Sequence, residues 1–230
     1  MSATPRWRHH HQLVVMARWP APGRCKSRLA AGTGTRRAAA IQARLTEHTL
    51  AAARQLGHLA AAAGAPAPEV VLAVDGLGPR GAQRWRRALA ADRIRPQGPG
   101  SLAVRLRRQL ALAQREGARA VVVVGSDLPG LEASDLLAAF EALKEVPLVL
   151  GPASDGGYWL IGLAGAAAAA RGPAIRLLCG ADGAIAWGSE RVLSQTLAAA
   201  SAATLPWRLL AERADLDRPD DLRAWRWAPR

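Results

Sequence analysis

The chain has 230 residues, of which 50% are hydrophobic and 21% charged, and it carries a net charge of +13. This balance excludes a disordered chain and, at this length, favours one domain over two. The longest apolar runs, such as residues 121–124 or 164–170, fall well short of the roughly 18 residues that span a bilayer, so no membrane crossing is expected. The opening residues, MSATPRWRHHHQ, lead into only a short apolar run and lack the core of a secretory signal. The protein therefore reads as cytoplasmic, with residues 1–11 a disordered tail and residues 12–230 a single domain. Cys25 and Cys179 stand far apart and read as free thiols, and the run His9 to His11 is assigned no role.

The charge is unevenly distributed. Residues 1–120 carry 21 Lys/Arg against 5 Asp/Glu, whereas residues 121–230 carry 10 against 13. A basic first half attracts phosphates, and an acidic second half can hold a metal. The first half contains a single lysine, Lys26.

In chain order, residues 12–17 form a short buried strand that runs into the Pro/Gly-rich loop WPAPGRCKSRL. A helix follows over residues 35–56, with Ile41, Leu45 and Leu50 on one face and Gly57 as its stop. Further strands are expected over residues 69–74, 119–124 and 147–150, separated by Ala/Leu/Arg helical patterns, and the alanine tract 164–170 reads as a helix. This alternation predicts an α/β sandwich with a mostly parallel central sheet. The basic charge alone would also suit a nucleic-acid-binding module. However, the cations spread through predicted helices and no helix-turn-helix, zinc-finger or RNA-recognition signature is present, so no specific nucleic-acid partner is expected.

Four segments carry chemistry. In the first loop, Gly23 allows close backbone approach while Arg18, Arg24, Lys26, Ser27 and Arg28 supply donors suited to a diphosphate, although the Walker pattern is absent. In VVVVGSDLPGL, a doubly buried strand emerges as Gly125, Ser126 and Asp127; Ser134 serves as the cap of a helix beginning at Asp135, which frees Asp127 for a metal. In VLGPASDGGYWLIGL, Asp155, Gly156 and Gly157 turn a hairpin, with Tyr158, the only tyrosine, and Trp159 beside it. A carboxylate and aromatics at a loop tip suit an acceptor or sugar, and Asp155 is the candidate proton acceptor; a plain Asp-Gly turn explains the same residues. In DLDRPDDL, Asp220 and Asp221 start a helix, and Asp215 and Asp217 precede it where they can reach a cation, Asp217 being the favoured second metal ligand.

Taken in order, ARWPAPGRCKSRL, GSDLPGL, GPASDGGYWLIGL, AWGSERVLSQTL and DLDRPDDL resemble the DUF2064 family of GT-A-type proteins. Its members are commonly called glycosyltransferases, some of them arsenosugar-biosynthesis glycosyltransferases, and the same loop and Gly-x-Asp logic is similar to that of molybdenum-cofactor and phospholactate nucleotidylyltransferases. The resemblance implies a GT-A, nucleotide-diphospho-sugar-transferase-like three-layer sandwich. It implies a nucleotide site at Arg18, Gly23, Lys26, Arg28, Gln97, Arg105 and Ser126, a Mg²⁺ or Mn²⁺ ion on Asp127 and Asp217, and acceptor contacts at Gly156, Gly157 and Tyr158. Arg18 stands where the family usually has lysine, Ser27 where it has threonine, and Ala103, in QGPGSLAVRL, where it has glycine. The expected reaction moves a sugar from a nucleotide sugar to a small-molecule acceptor. The alternative is nucleotidyl transfer from a nucleoside triphosphate to a phosphorylated small molecule, with release of pyrophosphate.

Overall fold

A computed structural model describes residues 11–164 and 185–224. Seven strands form one sheet: β1 (His11–Arg18), β2 (Glu69–Asp75), β3 (Arg93–Pro96), β4 (Ala120–Gly125), β5 (Leu148–Pro152), β6 (Tyr158–Ala164) and β7 (Trp207–Leu209). Their order is β3-β2-β1-β4-β6-β5-β7. β6 runs antiparallel to β4 and β5, and the other pairings are parallel. The helices are α1 (Ser27–Thr33), α2 (Thr35–Ala62), α3 (Pro79–Leu89), α4 (Leu102–Arg115), α5 (Ala133–Ala142), α6 (Val192–Ala202) and α7 (Asp221–Ala224).

The valine-rich strands are apolar throughout because the sheet is covered on both sides. Alternate side chains of β1 divide between two cores: Leu13, Val15 and Ala17 pack with residues of α2, α3 and α5. Val14 packs on the other side with Leu106 and Leu110 of α4 and Ala200 of α6. The result is the three-layer sandwich expected from the sequence. A smaller cluster joins Leu29 of α1 to Ala38, Ile41 and Leu45 of α2 and to Leu216, which is fully buried.

Several boundaries differ from the sequence expectation. α2 runs past Gly57 to Ala62, because Leu59 and the alanines after it sustain the helix until Gly64 takes a left-handed conformation at φ 69°. β3 and β7 carry no apolar run to announce them: β3 is RIRP and β7 is exposed throughout. The helix after Asp127 is capped by Glu132 with Asp135 at the third position, a reciprocal capping box, rather than by Ser134. Asp127 is still free of that helix. His11 is the first residue of β1, paired with Ala120, and Ala164 ends β6. His9, His10, Cys179 and residues 165–170 of the alanine tract lie outside the described residues. Cys25 is a free, buried thiol. No helix among the described residues is long and apolar enough to cross a membrane.

The amino-terminal end of the sheet is held by a polar network. The Glu116 carboxylate accepts from Gln12 at 2.7 Å, Arg93 at 2.7 Å and Arg95 at 3.2 Å, and the Arg95 side chain is only 10% exposed. Burial alone would push the Glu116 carboxyl up; Arg93, Gln12 and Arg95 together hold it below the ordinary carboxylate range. A depressed carboxyl stabilises above its unfolded value, and the contribution disappears as the pH falls through its folded value. Glu116→Ala, which leaves the largely buried Arg95 with Gln109 but without its carboxylate, is expected to lower unfolding free energy by roughly 2–3 kcal/mol at neutral pH. Urea titrations at neutral and at acidic pH check this, with the deficit shrinking in acid; an unchanged midpoint at neutral pH would show the network to be idle.

Candidate active site

β1, β2 and β4 are parallel, so Arg18, Asp75 and Gly125 reach the same end of the sheet, and antiparallel β6 begins there with Tyr158. A cleft of about 790 Å³ opens at this end. Open α/β sheets bind ligands beyond the carboxyl ends of their strands.

One wall is basic. Arg18 and Arg105 both donate to the same oxygen of Asp75, Arg18 Nε at 3.2 Å and Arg105 Nη1 at 2.7 Å. Burial by itself would raise the Asp75 carboxyl, but these two guanidiniums hold it below the ordinary value, with Arg105 the stronger. Gln97 is buried; its Nε2 donates to the Ala17 and Ala73 carbonyls, clamping β1 to β2. Only its Oε1 remains to face a ligand. Arg28 projects from α1, two-thirds exposed, and pairs with Asp217 at 2.8 Å.

Lys26 immediately precedes α1 in a left-handed conformation, φ 49° and ψ 50°. Its Nζ lies 2.8 Å from Asp127 Oδ1 and donates to the Leu216 carbonyl at 2.5 Å. The expected phosphate-binding lysine and the expected metal-binding aspartate are therefore paired with each other. The Leu216 N–H in turn donates to the Asp127 carbonyl at 2.9 Å, so the DLDRPDDL segment is fastened beside Asp127 despite its distance in sequence.

Another part of the lining is acidic. Asp127, Asp155, Asp215 and Asp217 all line the cleft. Burial raises the Asp215 carboxyl above its ordinary value, and the Asp155 and Asp127 charges raise it further against the pull of Lys26. Asp217, by contrast, is engaged by Arg28. The Asp221 carboxylate accepts from the Asp217 and Arg218 N–H groups and so fixes the bend before α7. The Asp155 Oδ1 accepts from the Gly157 N–H at 2.9 Å, so the turn role and the cleft position belong to the same residue.

Other expected residues contribute indirectly. Ser126 lines the cleft but its hydroxyl accepts from Gln42, which directs it toward α2. Gly23, at φ 75°, shapes the loop from outside the cleft wall. Gly156, at φ 85°, lies so close to Glu190 that an added Cβ would be 2.1 Å from its carbonyl oxygen. It seats the hairpin tip on the segment before α6. Asp75 and Trp187 are cleft residues that the sequence did not point to, and Asp215, which the sequence placed within reach of a cation but behind Asp217, lines the cleft as well. Trp187 lines the cleft and meets the Tyr158 ring edge-on at 6.0 Å. Its signal was the Ala-Trp-Gly-Ser-Glu segment, and that of Asp75 was its place at the end of an apolar strand before Gly76.

The raised Asp215 carboxyl has a stability consequence. The folded chain holds that proton more tightly than the unfolded chain, so stability falls as the pH rises from the ordinary carboxylate value through the raised one. At neutral pH, without metal, Asp215→Asn is expected to melt at a higher temperature than wild type, with the gain vanishing in acid. Thermal melts across that range check this; a lower melting temperature at neutral pH would refute the like-charge account.

The DUF2064 family, described as an uncharacterized protein conserved in bacteria, matches residues 58–180. No curated protein matches the chain. Among solved structures, a protein assigned as a nucleotide-diphospho-sugar transferase from Desulfovibrio desulfuricans G20 is similar with a TM-score of 0.68 and 22% identity, over 90% of this chain and 82% of that one. Glucosyl-3-phosphoglycerate synthase from Mycobacterium tuberculosis, solved with Mn²⁺, UDP and glucosyl-3-phosphoglycerate, is similar with a TM-score of 0.54 and 14% identity over 94% and 75%. CMP:2-keto-3-deoxy-manno-octonic acid synthetase, complexed with CTP, gives 0.55 and 13% over 94% and 96%. These likenesses establish the nucleotide-diphospho-sugar-transferase type of fold, and with more than half of its length matched the chain belongs to the DUF2064 family.

Proposed function

We infer that this protein is a transferase that uses a divalent metal to move a sugar from a nucleotide sugar to a small-molecule acceptor. The observation that carries the reading is one cleft at the carboxyl ends of the strands that is lined by both basic and acidic side chains, Lys26 on Asp127 and Arg28 on Asp217 among them. Glucosyl-3-phosphoglycerate synthase, solved with UDP and Mn²⁺, supports it by likeness of architecture. Residues 12–230 are taken as one domain acting in the cytoplasm.

Lys26, Arg28 and Arg18 meet the donor diphosphate, with Arg105 and the Gln97 Oε1 beside the nucleoside. Among the described residues, no three His, Cys, Asp or Glu side chains stand close enough to cage an ion by themselves. A Mg²⁺ ion ordinarily takes one or two carboxylates and completes its shell with substrate phosphates and water, so the donor set fits. The mutual repulsion registered at Asp215 supports the same fit, since a cation would relieve it. Asp127 would hold the metal, with Asp217 or, better placed beside Asp127 and Asp155, Asp215 as second ligand. Once bound, the ion would neutralise charge on the departing diphosphate. Asp155 accepts the proton of the attacking hydroxyl, and Gly157, Tyr158 and Trp187 border the acceptor.

Nucleotidyl transfer is the second reading, favoured by the likeness to a CTP-bound synthetase. The acceptor side decides between them: a phosphorylated acceptor calls for cations, whereas Asp155, Tyr158 and Trp187 offer a carboxylate and aromatic faces suited to hydroxyls. Product analysis with nucleotide sugars and with nucleoside triphosphates, each with Mn²⁺, is expected to yield a nucleoside diphosphate. Metal-dependent pyrophosphate release with every nucleotide sugar inert would select the second reading. Asp155→Asn is expected to lower turnover by about 10²–10⁴-fold while donor affinity is kept. Arg28→Ala should weaken donor binding by roughly tenfold, read by calorimetry, and an unchanged affinity would remove this loop from the site.

A further inference from the structure

Three features of Lys26 belong together. Its side chain is 4% exposed, and its ammonium is held by one carboxylate, Asp127, and one carbonyl, Leu216. Among the described residues, three non-glycine residues have a positive φ: Lys26, Ala90 and Thr204. Ala90 and Thr204 follow helix ends, where the left-handed conformation commonly closes a helix. Lys26 instead precedes a helix, so its backbone is strained in a place where no helix termination requires it.

Electrostatics gives the arrangement a consequence. The ammonium already sits on the carboxylate assigned to the metal, 2.8 Å from its Oδ1. A divalent ion arriving alone would meet a fixed positive charge beside its ligands. A diphosphate supplies the negative charge that draws the ammonium away and accommodates both cations. Resting on the function inferred above, we propose that Lys26 is a resident cation on Asp127, exchanged for the metal only when the donor diphosphate arrives, so that metal binding is conditional on nucleotide. By thermodynamic reciprocity the metal then tightens the diphosphate by the factor by which the diphosphate tightens the metal.

The test is Mn²⁺ binding without nucleotide, read from the electron-spin-resonance signal of the free ion. Wild type should bind weakly, and Lys26→Met should bind about tenfold more tightly. Lys26→Gly, which accepts the left-handed backbone while removing the ammonium, should show the same gain if the Met variant folds poorly. Adding Asp127→Asn to either variant should abolish the gain. A purely structural Lys26 predicts the opposite sign, since loosening Asp127 and Leu216 would weaken Mn²⁺. Water-proton relaxation of wild type with Mn²⁺ and inorganic pyrophosphate reports separately on the parent reading. Equal or weaker Mn²⁺ affinity in the Lys26 variants, with the wild-type pyrophosphate complex still formed, overturns the resident-cation proposal alone. A gain that survives Asp127→Asn also overturns it, and no bound Mn²⁺ in any protein, with or without pyrophosphate, overturns both.

Discussion

A single buried ammonium joins three remote parts of the chain. Lys26 stands before α1, Asp127 follows β4, and Leu216 belongs to the segment preceding α7; the Lys26 Nζ touches the last two, and the Leu216 N–H closes the triangle on the Asp127 carbonyl. A charge removed from water needs such partners, and a pair broken on one side leaves an uncompensated charge. The cleft depends on this junction because each member carries a wall with it: the basic loop through Arg28, the strand end through Ser126, and the acidic segment through Asp215 and Asp217.

Apolar packing holds the junction from behind. Leu216 is fully buried against Leu29, Ala38, Ile41 and Leu45, and burying such a side chain contributes about 1.5–3 kcal/mol. α1 also passes so close to Pro219 that a Cβ on Gly32 would lie 2.6 Å from its ring. These contacts fix the position of the DLDRPDDL segment without using its carboxylates. Asp215 and Asp217 are thus free to be placed for chemistry, against the repulsion from Asp155 and Asp127 that adds to burial at Asp215.

The parts legible in sequence are those set by local pattern. Doubly buried strands such as β4 show themselves as valine runs, and the Gly-Ser-Asp that follows has nowhere to go but the strand's carboxyl end. β3 escaped notice because its Arg93 and Arg95 are there for Glu116 and Glu69, not for a core. The choice between Asp215 and Asp217 was likewise beyond a linear reading. Both flank Leu216, and only the tertiary setting shows that one faces Asp155 and Asp127 while the other is taken by Arg28. Nor does spacing reveal that Lys26 and Asp127, read as separate phosphate and metal groups, bind each other.

That pairing also bears on how the charges of the unliganded cleft are balanced. The basic wall neutralises itself on Asp75, where Arg18 and Arg105 share one oxygen, and the acidic wall is partly neutralised by Lys26 and Arg28. The four cations expected to meet the donor, Arg18, Lys26, Arg28 and Arg105, are therefore each already paired with a protein carboxylate. A ligand that brings only one sign of charge must break such a pair without replacing it. One that brings a diphosphate and a cation together replaces both halves at once, and this is the composition of a metal-bound nucleotide donor. Selectivity of this kind comes from the alternative partners as much as from the contacts made with the ligand.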